Sequence, residues 1–322
     1  NILYTLGGNT DPNSVSFSPS NDFFYLNISV AFDITNIPWI NLSNVVDTPK
    51  QGGAAVSAGG PNKNIIFLFG GEVDNSSHGI SLVHEYDTTK NVWRTPIIQG
   101  IQPPRRAFLR SVTDVTGKMY LFGGTYDNYT GNSTFAFDNR MDILDTIGLT
   151  WSKGTELQAP TPRDGFSATL LPNGIIVYLG GNGLNPQNLR EITVGTIPEP
   201  RAHHSSVLGL NNDRLIIYGG YTGIQYSRSP IVYNLTVLDI RNKPYKWITP
   251  NVSGIIPSTP HAHTANVIGR YMIVTYGFLA SQNHINPDIY ILDIGDDSEY
   301  KWVTSFDPNL SPVLSSNSSL DK

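Results

Sequence analysis

A short apolar run ending in glycine returns six times in this chain, and that recurrence constrains the fold more than any other feature. The copies are residues 2–8, 65–71, 119–124, 175–181, 215–220 and 271–278. Five end in a glycine pair, and the sixth, Tyr276-Gly277-Phe278, reads as having lost its second glycine. The first glycines stand at 7, 70, 123, 180, 219 and 277, so the gaps are 63, 53, 57, 39 and 58. Self-similarity at periods of this size marks architectures in which each unit buries, against its neighbours, a face it cannot bury alone.

Three further features recur in phase. Each of the last five runs is preceded by a proline and a basic residue: Pro49-Lys50, Pro104-Arg105, Pro162-Arg163, Pro200-Arg201 and Pro260-His261. After the glycines come a polar loop and a run ending in aspartate, at Asp87, Asp145, Asp239 and Asp293. A tryptophan follows a turn later: Trp39, Trp93, Trp151, Trp247 and Trp302, which are all five tryptophans of the chain. Short β-branched and aromatic runs punctuated by Gly, Asp and Asn read as strands with tight connections, four to a unit. Paired glycines allow close backbone approach and a turn at positive φ. Each indole supplies apolar bulk for a seam between units and an N–H that needs a partner.

The glycine pair, the Asp-ended strand and the spaced Trp resemble the Kelch repeat superfamily, and the first unit, with Phe23 to Ser29 followed by Trp39, is similar in flavour to fungal Kelch-repeat proteins. The resemblance implies an all-β fold, a six-bladed Kelch β-propeller with four antiparallel strands per blade, whose closure leaves few free strand edges. It covers residues 1–306 as one domain, with 307–322 a Ser/Pro/Asn-rich tail or linker. Two departures stand out. The fourth unit is short: residues 182–197 cannot hold two normal strands, so a break is expected near Glu191 to Val194, with 193–197 as the remnant of that blade's outer strand. The first unit has no Pro-basic entry, so its innermost strand must come from before Asn1 or from the tail, which reads poorly as a strand.

Composition narrows the function. With 39% hydrophobic and 15% charged residues the chain can build a core, and a net charge of -5 argues against nucleic acid. No apolar run is long enough to span a bilayer as a helix. Cysteine is absent, which removes disulfides, thiolate metal sites and thiol nucleophiles. The acceptor pattern N-x-S/T occurs at Asn27, Asn41, Asn75, Asn128, Asn132, Asn234, Asn251, Asn309 and Asn317, more often than chance in an Asn-rich chain supplies. A secreted or extracellular protein is expected from it, with Asn75, Asn128, Asn132 and Asn251 as glycan acceptors; cytoplasmic residence is the alternative.

Lys50, Arg105, Arg163, Arg201 and His261 are expected at equivalent positions, forming a ring near one end of the channel. The favoured reading is that each pairs with a backbone carbonyl or a carboxylate of the next blade, and the alternative is that the ring attracts an acidic ligand. His203-His204 and His261-x-His263 have the residue type for zinc or copper, yet histidine fills this slot in the resembled family as a hydrogen-bonded core residue, which is the favoured reading. No cofactor is expected. Tyr126, Tyr129, Tyr221 and Tyr226 lie in polar loops at 71–84, 125–139 and 221–229, where function sits on a rigid scaffold. Galactose-oxidase-like Kelch enzymes need a Cys–Tyr crosslink, and the iron-dependent plant specifier proteins a motif ending in Cys; neither is possible here. The sialidase box fails too, because residues 144–151 carry one residue too many between Asp145 and Gly148. The expected function is therefore non-catalytic: a scaffold for protein–protein interaction through its loops, with a carbohydrate-binding propeller or an unrecognised carbohydrate-active enzyme as alternatives.

Overall fold

A computed structural model describes residues 1–9, 18–74, 81–183, 193–222, 229–230, 234–279 and 284–310. Among them every regular element is a strand, apart from one 3-10 turn at Asn128–Thr130. The second repeat shows the unit most plainly: Ala55–Gly59, Ile65–Phe69, Val83–Asp87 and Val92–Arg94 form an antiparallel meander in chain order. The third repeats it with Arg110–Thr113, Lys118–Phe122, Met141–Asp145 and Thr150–Lys153. The fifth and sixth build the same four strands and gain a fifth at the outer edge, so that Thr193–Gly195 lies parallel to Tyr245–Ile248 and Val252–Gly254 parallel to Tyr300–Val303.

Among the described residues five blades result, not the six of four strands expected from the sequence. The first has three strands, Ile2–Leu6, Phe23–Asn27 and Trp39–Asn41, and no described strand pairs with the channel side of Ile2–Leu6. The fourth repeat contributes only the pair Ser167–Leu170 and Ile176–Leu179 among the described residues, beside the short Arg163–Asp164 and Asn182–Gly183 ladder. Thr193–Gly195 is also reassigned. It is not a remnant of the fourth repeat's outer strand but the outermost strand of the fifth blade. The expected break lies partly outside the described residues; Thr193 and Val194 are in that strand.

The inner strands Ala55–Gly59, Arg110–Thr113, Ser167–Leu170, Ser205–Leu208 and Thr264–Ile268 stand side by side in that order around the axis. They are laced by hydroxyls, with Ser57 Oγ 2.6 Å from Thr113 Oγ1 and Thr169 Oγ1 2.7 Å from Ser206 Oγ. The core lies in the seams, each built from two neighbours. Phe23 meets Leu68, Tyr86 and Trp93 between the first and second repeats, while Leu26 and Phe32 meet Ile273, Ile291 and Phe306 between the sixth and the first. Trp93, Trp151 and Trp302 are buried in such seams, as expected. Trp247 is only half-buried; its seam faces the fourth repeat, which among the described residues offers one longer strand pair.

The glycine pairs tie neighbouring repeats together. The second glycine's N–H donates to an entry carbonyl of the next repeat: Gly8 to Gln51 (3.2 Å), Gly71 to Arg106 (2.8 Å), Gly124 to Arg163 (2.9 Å), Gly181 to Arg201 (2.9 Å) and Gly220 to Pro260 (3.0 Å). At the first glycine a Cβ would stand only 2.4–2.7 Å from that same carbonyl oxygen, so no side chain fits. This register makes Gln51, Arg106, Arg163, Arg201 and Pro260 the equivalent set. Lys50 and Arg105 are therefore one residue early and His261 one residue late for the ring expected from the sequence. The sixth copy also aligns differently. Tyr276, at φ 57°, donates to the Asp288 carbonyl as Gly219 does to Asn234, so it is the first glycine that has been replaced.

Candidate functional site

In an antiparallel four-stranded unit, the loop after the glycine pair and the crossover into the next repeat leave from the same end. One face of the ring therefore gathers the entry turns and the polar loops. The entry turns put Gly53, Phe108, Gly165, His203 and Ala262 at φ between 54° and 63°. Each after Gly53 donates its N–H to the carbonyl of the one before: Phe108 to Gly53 (2.8 Å), Gly165 to Phe108 (3.1 Å), His203 to Gly165 (2.6 Å) and Ala262 to His203 (2.8 Å). A directional hoop of four backbone hydrogen bonds thus links the entry turns of the second to the sixth repeats at this end.

Side chains on this hoop make a continuous aromatic run. Phe108 meets the His203 ring edge-on at 5.3 Å, His203 stacks on Tyr221 at 5.5 Å, Tyr221 meets His261 at 5.1 Å, and His261 meets Phe278 at 5.1 Å. Phe108, His203, Tyr221 and Phe278 are half-buried, and so retain surface for a ligand. Beside them lies an acidic group. Burial, then the neighbouring charge of Asp127, pushes the Glu72 carboxyl from its ordinary 4.5 up to about 9, so it carries its proton at neutral pH. Asp164, raised by burial to about 6, accepts from Asn182 Nδ2 at 3.1 Å, and Asn182 Nδ2 also donates to Tyr221 Oη at 3.2 Å. The mouth is thus aromatic and acidic, with polar groups that fix the aromatic ring of Tyr221.

The arginines expected to form a cationic ring spend their donors on the scaffold. Arg105 donates to the carbonyls of Gly70 (2.8 Å) and Ser81 (2.9 Å), Arg163 to those of Thr161 and Gly180 (both 3.1 Å), and Arg201 to those of Glu199 and Gly219 (both 3.4 Å). Arg106, which the sequence reading passed over, is fully buried between Asp138 (2.8 Å) and Asp142 (2.5 Å). Tyr126 joins that network, donating to Asp138 at 2.7 Å. Tyr129 is half-buried and offers its carbonyl to Val73 N–H at 3.0 Å, while Tyr226 and Asn75 lie outside the described residues. Asn128, Asn132 and Asn251 are exposed.

His204 and His263 occupy one equivalent place, under the glycine pair of the preceding repeat. Their Nε2 atoms lie 2.9 Å from Ser167 Oγ and 2.8 Å from Ser205 Oγ, and burial holds His263 down to about 3 and His204 well below its ordinary value. They are neutral, hydrogen-bonded core residues. Among the described residues no three His, Cys, Asp or Glu side chains converge to hold a metal ion. The strand-end aspartates are architectural as well: Asp87, Asp145, Asp239 and Asp293 each accept a backbone N–H from two residues on. The sequence reading missed the acidic group, whose members come from three repeats. It also missed the crossover glycines Gly100, Gly195 and Gly254, which recur six residues before Arg106, Arg201 and Pro260.

Comparison with known proteins bears on the repeat itself. A family model described as the KLHDC2/KLHL20/DRC7 Kelch-repeats domain matches residues 1–194 and 186–313. Human host cell factor 1 is 28% identical over 272 residues, covering 74% of this chain but 12% of that protein. Human host cell factor 2 is 25% identical over 67% of the chain and 29% of its own length, and mouse Kelch domain-containing protein 3 is 30% identical over 48% and 44%. The chain thus spans a minor part of these relatives, all of them animal proteins.

Proposed function

We propose that this chain, which belongs to the Kelch-repeat domain family, is a non-catalytic scaffold that binds a protein partner on the face holding the entry turns and the loops after the glycines. The observation that carries the reading is the aromatic run from Phe108 to Phe278, displayed at the channel mouth by three packed repeats. Large rigid aromatics give contact area at low entropic cost and are enriched where binding energy concentrates. The carboxylates of Asp127 and Asp164, beside the protonated Glu72, favour a partner segment with basic or hydrogen-bond-donating side chains. No helix among the described residues is long and apolar enough to cross a membrane.

The test is affinity capture from the native source with the wild-type protein and with Tyr221→Ala and Phe278→Ala. Both variants should keep the melting temperature within a few degrees and lose the captured protein. Capture unchanged by both would move the interface elsewhere, and a specific glycan-array hit that the same variants abolish would replace the protein partner with a carbohydrate. The acceptor triplets support residence in a secretory compartment. An endoglycosidase-induced mobility shift, lost when exposed Asn128, Asn132 and Asn251 are changed to Gln, checks this reading, and no shift favours the cytoplasm.

A further inference from the structure

The outer edges of the blades are not treated alike. In the third, fifth and sixth blades the crossover arriving from the previous repeat lies parallel to the outermost strand and ends on a glycine. Gln99 exchanges hydrogen bonds with that strand, accepting from Trp151 N–H at 2.8 Å and donating to the Leu149 carbonyl at 2.9 Å. Gly195 pairs with Trp247 and Gly254 with Trp302. Gly100, Gly195 and Gly254 have φ of 95°, 88° and 82°, and a Cβ on them would stand 2.2–3.0 Å from the tryptophan carbonyl oxygen. In the fifth blade this segment also satisfies the indole: Trp247 Nε1–H donates to Thr193 Oγ1 at 3.1 Å.

The second blade has no such parallel strand among the described residues, and Leu42 and Val45 of its arriving segment pack instead against the cluster that holds Trp93. Val45 stands six residues before Gln51, in the glycine's place, and a β-branched residue is a poor fit to positive φ. The segment folds on itself instead, with Val45 N–H on the Leu42 carbonyl (2.9 Å) and Thr48 Oγ1 on the Val45 carbonyl (2.7 Å). Among the described residues no strand pairs with the outer edge of Val92–Arg94. Beside it lies a cavity of about 350 Å³ lined by Asp47, Thr48, Lys50, His84, Trp93 and Arg94, among others. Trp93 Nε1 and His84 Nε2 are both buried without a hydrogen-bond partner. A native structure rarely leaves buried polar atoms unsatisfied without a reason. Lys50 makes no ion pair among the described residues, and Arg94 holds Glu85 and Asp87 only at 3.9 Å and 3.7 Å.

We infer that this edge docks an extended segment of a partner protein, parallel to Val92–Arg94, with Ser or Thr two residues before a glycine and an acidic side chain near Lys50 and Arg94. The molecule itself shows what fits there: its own Thr193-Val194-Gly195 makes the equivalent contacts in the fifth blade. Strand addition of this kind takes affinity from main-chain hydrogen bonds and specificity from a few side-chain contacts. The site is on the outer rim, apart from the channel mouth, and its test is independent of that reading.

The probe is a fluorescein-labelled heptapeptide copied from residues 191–197, Glu-Ile-Thr-Val-Gly-Thr-Ile, titrated with the intact protein by anisotropy. Saturable binding is expected. Replacing the peptide's glycine by valine should weaken it about tenfold or more, because the carbonyl leaves no room for a side chain. Replacing the first threonine by valine should cost about fivefold, the worth of a hydrogen bond, and this loss should vanish in Trp93→Phe, which keeps the ring but not the N–H. Lys50→Ala with Arg94→Ala, both surface changes, should weaken binding and flatten its salt dependence. Absence of saturation at millimolar protein overturns the inference, as does binding that ignores both the glycine substitution and Trp93→Phe. Self-association blocked by the peptide would assign the edge to a second copy of this chain and overturn the partner assignment.

Discussion

At the scale of single residues, the contrast between Gly219 and Tyr276 shows how a neighbour decides what a position tolerates. Both have positive φ, 67° and 57°, and both make the same type of backbone bond. A Cβ at Gly219 would lie 2.4 Å from the Pro260 carbonyl, whereas Tyr276 keeps its ring and meets Trp39 at 5.9 Å. Gly219→Ala should therefore lose about 2–4 kcal/mol in urea unfolding, combining left-handed strain with overpacking. Tyr276→Gly should change stability by less than about 1 kcal/mol, since relief of strain offsets the lost ring contact. The tryptophans allow a second comparison. Trp151→Ala should cost about 3–5 kcal/mol, and half-buried Trp247→Ala clearly less, by the same measurement. Titration gives a third. His263 is held at about 3 in the fold against an ordinary 6.5, so the unfolded chain binds the extra proton and stability falls as pH drops from about 6.5 to about 3. Glu72 acts in the opposite sense. Its folded value of about 9 lies above 4.5, so the folded chain binds the extra proton and stability falls as pH rises between those values. Glu72→Gln should flatten the alkaline limb of melting temperature against pH and leave the acid limb in place.

At the scale of elements, strands of one sequence type differ in cover. Tyr271–Thr275 is buried along its whole length, while the comparable Ile176–Leu179 is half-buried throughout and, among the described residues, paired on one side only. Local opening follows such differences. Hydrogen exchange should reach Ile176–Leu179 and Ser167–Leu170 well before the central strands of the fifth and sixth blades, and equal protection would show that the fourth repeat is completed by partners beyond the described pair. The apolar strands were legible in the sequence because the glycine pair, aspartate and tryptophan all punctuate them. The entry register was not, because basic residues stand adjacent at Arg105-Arg106 and only the carbonyl contact with Gly71 selects between them. The crossover strands escaped notice for another reason: three residues ending on a lone glycine carry no periodicity.

At the scale of the whole molecule, a candidate site assembled from separate repeats is hard to see in the chain alone. Phe108, His203, Tyr221, His261 and Phe278 span 170 positions of sequence, and only the hoop of entry turns brings them into one run. Tyr221 is singled out as a loop aromatic and His203 and His261 as clustered histidines, but Phe108 and Phe278 are not, since nothing local distinguishes a half-buried phenylalanine at a turn from a core one. The acidic group has the same origin. Its three carboxyls come from three repeats, and the perturbed protonation of Glu72 exists only once they are packed together.

The crossover segments have a consequence for how the ring can be taken apart. Because each glycine-ended segment belongs by sequence to one side of a seam and by hydrogen bonding to the other, the repeats overlap like roof tiles. A cut at a boundary of the sequence repeat, just after Trp247 for example, separates Val252–Gly254 from the blade that precedes it but leaves it bound to the one that follows. A cut in the turn between the first two strands of a blade severs no such overlap. New termini should therefore be tolerated at exposed turns such as residues 61–63 or 172–174, where the chain reverses within one sheet, more readily than at the junctions where one repeat gives way to the next.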